Sequence, residues 1–203
     1  MRTRIAVFGG TFDPIHNGHL AIAREALRRW KLTRVLFVPA SQPPHKAFEN
    51  RTGYEHRYRM VELACRDEPE FEASRLDEAG GRSYTIRTLE RLKEGIGERE
   101  REPELYYLIG ADAFAEIATW HRWREVIQAV KFIVVSRPGH AYQTPAGAQV
   151  ERLEEVRIPV SSSEIRRRLA AGDENVAVPP AVLEYIRRHG LYRGPGASRG
   201  SQM

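Results

Sequence analysis

The chain has 203 residues, of which 29% are charged and 41% apolar, with a net charge of +5 and one cysteine. That length suits one domain with a large core, expected over residues 1–193 with a mobile tail from Gly194 to Met203, and no apolar run is long enough to cross a membrane. The lone Cys65 excludes an internal disulfide, the start has no signal-peptide pattern, and the expectation is a cytoplasmic protein.

Ile5-Ala6-Val7-Phe8 is an apolar run stopped by Gly9-Gly10, and Leu20, Ala23, Ala26 and Leu27 recur at helical spacing. The pattern predicts a buried strand turning sharply into a helix. The glycines let a ligand approach the backbone, and the helix start offers unpaired N–H donors and a positive dipole end, which suits a phosphate. His16 and His19 fall where that helix begins. Their spacing alone admits zinc, but no partnering Cys or acidic cluster follows, so no metal site on the protein is expected.

Arg34 to Val38 reads as the second strand, followed by a turn-rich loop that holds Pro43-Pro44-His45-Lys46. Tyr54 to Arg66 has helical periodicity, with Cys65 as a small buried hydrophobe, and Phe71 to Ser74 is a weak strand. Ser83 reads as the N-cap of a helix carrying Ile86, Leu89 and Leu92, and Glu94 to Glu104 as an exposed connection. Leu105 to Ile109 is a strand ending at Gly110-Ala111-Asp112, helical segments follow through Phe114 and Ile117 and over Arg124 to Ala129, and Lys131 to Val135 is another strand. Val156 to Val160 reads as the last strand. Ser161-Ser162-Ser163-Glu164 opens a capped helix, Pro179-Pro180 a second one, and Gly190 ends it.

Strands alternating with helices imply an α/β fold, Rossmann-like and doubly wound, with a mainly parallel sheet and C-terminal helices. Ligands in such sheets lie outside the carboxyl ends of the strands, where the polar clusters of this chain occur. Arg166 to Arg168 and the C-terminal arginines explain much of the positive charge locally. Basic and aromatic residues are not interleaved along one face, so nucleic-acid binding is not expected.

The string Gly9-Gly10-Thr11-Phe12-Asp13-Pro14 through His16 and His19 resembles the signature of the H-x-G-H nucleotidyltransferase superfamily. Ser161-Ser162-Ser163-Glu164-Ile165-Arg166 resembles its second signature, with Val160 and Ser163 in place of the usual Ile and Thr. Read physically, Ser161, Ser162 and the amides of a helix start suit one phosphate, and Arg166 adds a forked cation one turn later. Pro43 to Lys46, Ser83 to Leu89, Gly110 to Asp112, Trp120 to Trp123 and Ser136 to Gly139 further resemble the bacterial nicotinate-mononucleotide adenylyltransferase family, in order, over roughly the first 170 residues.

The resemblance implies transfer of the adenylyl group of ATP to nicotinate mononucleotide, with Mg²⁺ accompanying the ATP and bridging phosphate oxygens. It implies an ATP site of Gly9, Gly10, Thr11, Phe12, His16, His19, Arg137, Ser161, Ser162 and Arg166, with His16, His19 and Arg166 serving catalysis. It further implies an acceptor site of Asp13, His45, Lys46, Gly110 and Asp112, with Trp120 stacked on the pyridine ring and Thr85 and the main-chain amide of His121 at its carboxylate. His121 replaces a common tyrosine, a change that a main-chain contact survives. Three alternatives stand beside this reading: another adenylyltransferase acting on nicotinamide mononucleotide or phosphopantetheine, a cytidylyltransferase, and a nucleotide- or RNA-binding module without activity. A homo-oligomer is compatible with the sequence, which fixes no oligomeric state.

Overall fold

The apolar runs cluster into strands because each alternates side chains between two covered faces. The structure, a computed structural model, describes residues 3–42, 52–78, 82–96, 103–136, 142–154 and 160–194. Among them β1 (Arg4–Gly10), β2 (Arg34–Pro39), β3 (Phe71–Ala73), β4 (Glu104–Gly110), β5 (Lys131–Val135) and β6 (Gln149–Leu153) form a sheet in the order β3-β2-β1-β4-β5-β6. Every pairing in it is parallel. The helices are α1 (Asn17–Trp30), α2 (Tyr54–Cys65), α3 (Thr85–Gly95), α4 (Ala111–Ala115), α5 (Trp123–Ala129), α6 (Ser162–Ala170) and α7 (Pro180–Arg188), with a 3-10 turn at Ile117–Thr119.

Period-two alternation divides the core. Ala6, Phe8, Val35, Phe37, Leu108 and Ile133 face one layer, with Leu20, Met60, Val61, Ile165, Val182 and Ile186 from α1, α2, α6 and α7. Ile5, Val7, Leu36, Tyr107, Phe132 and Val134 face the other, with Ile86, Leu89, Phe114, Ile117 and Val126. With both faces covered, the strands lose the polar alternation of a half-exposed sheet and read as continuous apolar runs. Cys65 is buried in the first layer, and that burial pushes its thiol up to about 12. No helix among the described residues is long and apolar enough to cross a membrane.

The strand order positions the site. β1 pairs with β2 on one side and β4 on the other, with Val7 opposite both Leu36 and Tyr107. The connection leaving β1 turns toward β2 and the one leaving β4 toward β5, so a crevice opens between their carboxyl ends.

Several boundaries differ from the sequence reading. Ser83 does not cap α3; Tyr84 holds that position without a side-chain cap, while the Ser83 hydroxyl accepts the Gln42 N–H at 2.8 Å and the Ser83 N–H bonds the Gln42 carbonyl at 2.9 Å. A pairing with a loop 41 residues away displaced the local one. Helix α3 continues to Gly95, into the segment read as a connection, and the segment through Phe114 and Ile117 divides into α4 and the 3-10 turn. The sixth strand is Gln149–Leu153, which pattern reading passed over. It pairs with β5 at the sheet edge and buries fully only Leu153, so its sequence carries little apolar signal. Of the run Val156 to Val160, residues 156–159 lie outside the described residues, as do 195–203 of the tail; Gly194 lies so close to α6 that an added Cβ would stand 2.7 Å from the Ala170 carbonyl oxygen.

Leu108 lies at the centre of the sheet with no exposed surface. Leu108→Ala should lower unfolding free energy by about 2–5 kcal/mol in urea titrations. A loss below about 1 kcal/mol would contradict the tight packing assigned to this layer.

Candidate active site

The site is built on the loop between β1 and α1. Gly9 and Gly10 close β1 where no side chain fits: a Cβ on Gly9 would run into the Tyr107 hydroxyl, and one on Gly10 would stand 2.9 Å from the Phe12 ring. Phe12 has a φ of 50°, left-handed and uncommon for a bulky residue, and its ring is buried. That ring meets Phe8 edge-on at 5.6 Å and His19 edge-on at 5.0 Å. Backbone strain at the loop is thus held by an aromatic cluster.

His16 and His19 form a reciprocal cap on α1. The His19 N–H donates to His16 Nδ1 and the His16 N–H to His19 Nδ1, each at 3.3 Å, and the rings stack at 3.6 Å between centroids with 17° between planes. Gly18 permits this, since a Cβ there would lie 2.8 Å from Val160 and 3.0 Å from His16 Nδ1. Burial lowers the His16 pKa to about 4. Burial first, and the neighbouring His16 second, hold His19 well below the ordinary imidazole value. Both rings are therefore neutral at pH 7. With each Nδ1 accepting a backbone bond, the ring proton of each sits on Nε2 as a hydrogen-bond donor.

The rest of the loop is gripped from four directions. Arg57, buried on α2, donates to the Thr11 carbonyl at 2.7 Å and the Thr52 carbonyl at 3.0 Å. Arg166 donates to the Asp13 carbonyl at 2.6 Å and Ser162 Oγ to the Pro14 carbonyl at 2.9 Å. The buried Asp13 carboxylate accepts the Tyr192 hydroxyl at 2.5 Å and the Thr52 N–H at 3.5 Å. Ser161 caps α6 by accepting the Glu164 N–H at 3.2 Å. The hydroxyls of Ser161 and Ser162 thus both have partners within the protein.

Beside the loop a cavity of about 690 Å³ opens at the β1–β4 crevice, a size suited to a nucleotide-sized ligand. Its lining includes Gly9, Gly10, Thr11, Tyr84, Thr85, Tyr107, Gly110, Trp120 and His121. Trp120 stands edge-on to Tyr107 at 6.1 Å, Tyr84 lies 4.5 Å from His121 between ring centroids, and Thr85 Oγ1 is 3.4 Å from the Tyr107 hydroxyl. One end is thus a wall of aromatic rings and hydroxyls, and the other a glycine-lined backbone that leads into the histidine cap.

Of the residues singled out from sequence, Gly9, Gly10, Thr11, Thr85, Gly110, Trp120 and His121 line this cavity. Phe12, Asp13, His16, His19, Ser161, Ser162 and Arg166 cluster around the adjoining loop, and Asp112 is exposed on the first turn of α4. His45, Lys46 and Arg137 lie outside the described residues. Four contributors were not read from the sequence. Arg57 had a signal, because it shares the buried stripe of α2 with Met60, Val61 and Ala64, where a cation is out of place. Asp77, buried and accepting the Ser41 N–H at 3.0 Å, and Tyr107 and Tyr192 had none, because their partners are distant in the chain. Among the described residues no three His, Cys, Asp or Glu side chains converge so as to hold a metal ion.

A parallel sheet of this order, with a glycine strand end and a donor-rich helix start at the switch point, defines a nucleotide-binding α/β protein. Residues 7–168 match the model of the cytidylyltransferase-like family. A protein of Solibacter usitatus named "Probable nicotinate-nucleotide adenylyltransferase" is 57% identical over 93% of this chain and 99% of its own. One of Acidothermus cellulolyticus with the same name is 40% identical over 98% of each chain. The solved nicotinic acid mononucleotide adenylyltransferase of Plasmodium falciparum, complexed with NaAD, superposes with a TM-score of 0.75 at 18% identity, covering 94% of this chain and 98% of its own, a likeness of fold. The chain belongs to the cytidylyltransferase-like family and, within it, to the nicotinate-nucleotide adenylyltransferases.

The lowered imidazole pKa values give a pH dependence of fixed sign. Because the unfolded chain binds protons near pH 6.5 and the folded chain only near pH 4 at His16, stability falls as pH drops through that window and levels off below it. His16 alone should contribute a loss on the order of 3 kcal/mol. Urea unfolding between pH 7 and pH 4 should show that slope in the wild type and a shallower one in His16→Asn. Equal slopes would contradict a neutral, buried His16.

Proposed function

We propose that this chain transfers the adenylyl group of ATP to nicotinate mononucleotide, giving nicotinate adenine dinucleotide and pyrophosphate. The observation that carries the reading is a juxtaposition: one cavity has a wall of Thr85, Trp120 and His121 suited to a flat ring with a polar substituent and, at its other end, Gly9, Gly10 and Thr11, whose loop continues along the chain into the histidine cap of α1. Family membership supplies the names of the two substrates.

The acceptor's 5′-phosphate oxygen attacks the α-phosphorus of ATP. A new P–O bond forms, the bond to the bridging oxygen breaks, and that electron pair leaves on pyrophosphate. The attacking phosphate is already ionised, so no side chain need remove a proton. What the reaction requires is alignment and stabilisation of charge spreading onto phosphate oxygens. The Nε2 donors of His16 and His19, the amides at the start of α1 and the guanidinium of Arg166 are groups of that kind. Neutral imidazole donors suit the task, since they bind phosphate oxygen without presenting a full charge that must be desolvated while the site is empty. Mg²⁺ would enter with ATP as part of the substrate and would offset charge on the phosphates. We place Thr85 and the His121 amide at the ring carboxylate and Trp120 against the pyridine face. A buried free cysteine and the lack of a membrane-crossing helix among the described residues are compatible with reaction in the cytoplasm.

Pyrophosphate release from ATP should require nicotinate mononucleotide, and His19→Ala should lower turnover by roughly 10² to 10³ while the fold persists. A His19→Ala enzyme of normal turnover would remove that ring from the reaction. At the other end of the cavity, a carboxylate accepts two donors where a carboxamide offers only one acceptor oxygen. The specificity constant should favour the acid over the amide mononucleotide by about 10² to 10³. Thr85→Val should erode much of that preference and leave the KM for ATP unchanged. A wild-type ratio near one would overturn the acceptor assignment.

A further inference from the structure

Arg166 holds Asp13 by its backbone carbonyl and not by its carboxylate. The guanidinium of Arg166 bonds the Asp13 carbonyl at 2.6 Å and reaches Ser163 Oγ at 3.5 Å. The carboxylate on that same aspartate is instead held by Tyr192 at 2.5 Å, across 179 residues of sequence, with the Thr52 N–H a longer second donor at 3.5 Å. A carboxylate on the residue whose carbonyl a guanidinium already holds is a natural partner for that guanidinium, and a bidentate pair is among the strongest polar contacts available to either group. Such a pair would take up the forked donors that a triphosphate needs.

The delivery of Tyr192 is specific. Helix α7 ends at Arg188, Gly190 takes a φ of 60°, the Leu191 N–H closes back on the Ile186 carbonyl at 3.0 Å, and Tyr192 itself has a φ of 61°. This left-handed exit turns the chain back toward the β1–α1 loop, and the Tyr192 ring packs against the same core layer that supports Phe12 and Ile15. Burial first, and the Asp13 charge second, push the Tyr192 phenol well above its ordinary value, so it keeps its proton and acts as donor.

We propose that Tyr192 is a positioning residue for the triphosphate end of the site: by binding Asp13 Oδ1 it keeps that carboxylate off the Arg166 guanidinium, whose remaining N–H donors stay open to phosphate. This rests on the reading of Arg166 as a phosphate ligand. Tyr192 touches no substrate in this scheme; it acts through Asp13. The C-terminal turn thereby becomes part of the nucleotide site, although it lies beyond both nucleotidyltransferase motifs.

Calorimetric titration of the full chain with Mg²⁺ and a non-hydrolysable ATP analogue, without any acceptor, tests this independently of the second substrate. Tyr192→Phe should raise Kd by about tenfold, the cost expected for losing a charged hydrogen bond that frees a competitor. Tyr192→Phe combined with Asp13→Asn should return to within about threefold of wild type, because a neutral amide does not compete for the guanidinium. In turnover assays Tyr192→Phe alone should raise the KM for ATP by a similar factor and move kcat less. Three results overturn the proposal: a Tyr192→Phe protein that binds like wild type, a double variant no tighter than the single one, or a single variant whose melting curve shows loss of the fold. A wild-type chain that binds the analogue but forms no dinucleotide would overturn the adenylyl-transfer reading and leave the clasp standing. One that binds no analogue would overturn both.

Discussion

The organisation of this protein depends on how the backbone of one loop is satisfied. The turn from β1 into α1 presents carbonyl groups at Thr11, Asp13 and Pro14 that cannot join the sheet or the helix, and Arg57, Arg166 and Ser162 each supply one donor to one of them. Buried backbone groups left unpaired are costly, so these contacts are conditions for the loop to exist in this shape. They also fix the positions of α2 and α6 relative to β1. The shape of the β1–α1 loop and its packing against α2 and α6 rest on the same set of hydrogen bonds.

A second constraint is electrostatic. Phe8 and Phe12 present their rings to the same imidazole, His19, which is itself stacked on His16. This apolar setting makes protonation unfavourable, so the histidines wait as neutral donors. The cost appears as sensitivity to acid, and the benefit is that no positive charge has to be buried in the empty site. Arg166, whose charge cannot be removed, is anchored to a neutral backbone carbonyl rather than to a carboxylate.

The aromatic side of the cavity follows from topology. Thr85 opens α3, Tyr107 lies in β4 and Trp120 follows the 3-10 turn, three stretches that meet only because β4 returns across the sheet to pair with β1. Gly9 completes the fit, since only a residue without a side chain leaves room for the Tyr107 hydroxyl beneath the cavity floor. The glycine that closes β1 is therefore also a packing partner of the aromatic wall.

Local chemistry was legible in the chain itself. A strand that will be covered on both faces must be apolar throughout, a helix start must be capped, and a loop that admits phosphate must be rich in glycine. The runs at β1, β2, β4 and β5, the cap at Ser161 and the Gly9-Gly10 pair accordingly stand out in the sequence, whereas the reciprocal cap of His16 and His19 on α1 appears only in the structure. Edge strand β6 did not, because a strand covered on one side needs few apolar residues. The pairing of Ser83 with Gln42, the burial of Arg57 against Thr11 and the hold of Tyr192 on Asp13 were decided only by tertiary structure. Each is a hydrogen bond between residues 41, 46 and 179 positions apart, and donors and acceptors carry no mark of which distant partner will satisfy them. Hydrophobic periodicity is written along the chain, whereas the pairing of buried polar groups exists only after the chain has folded.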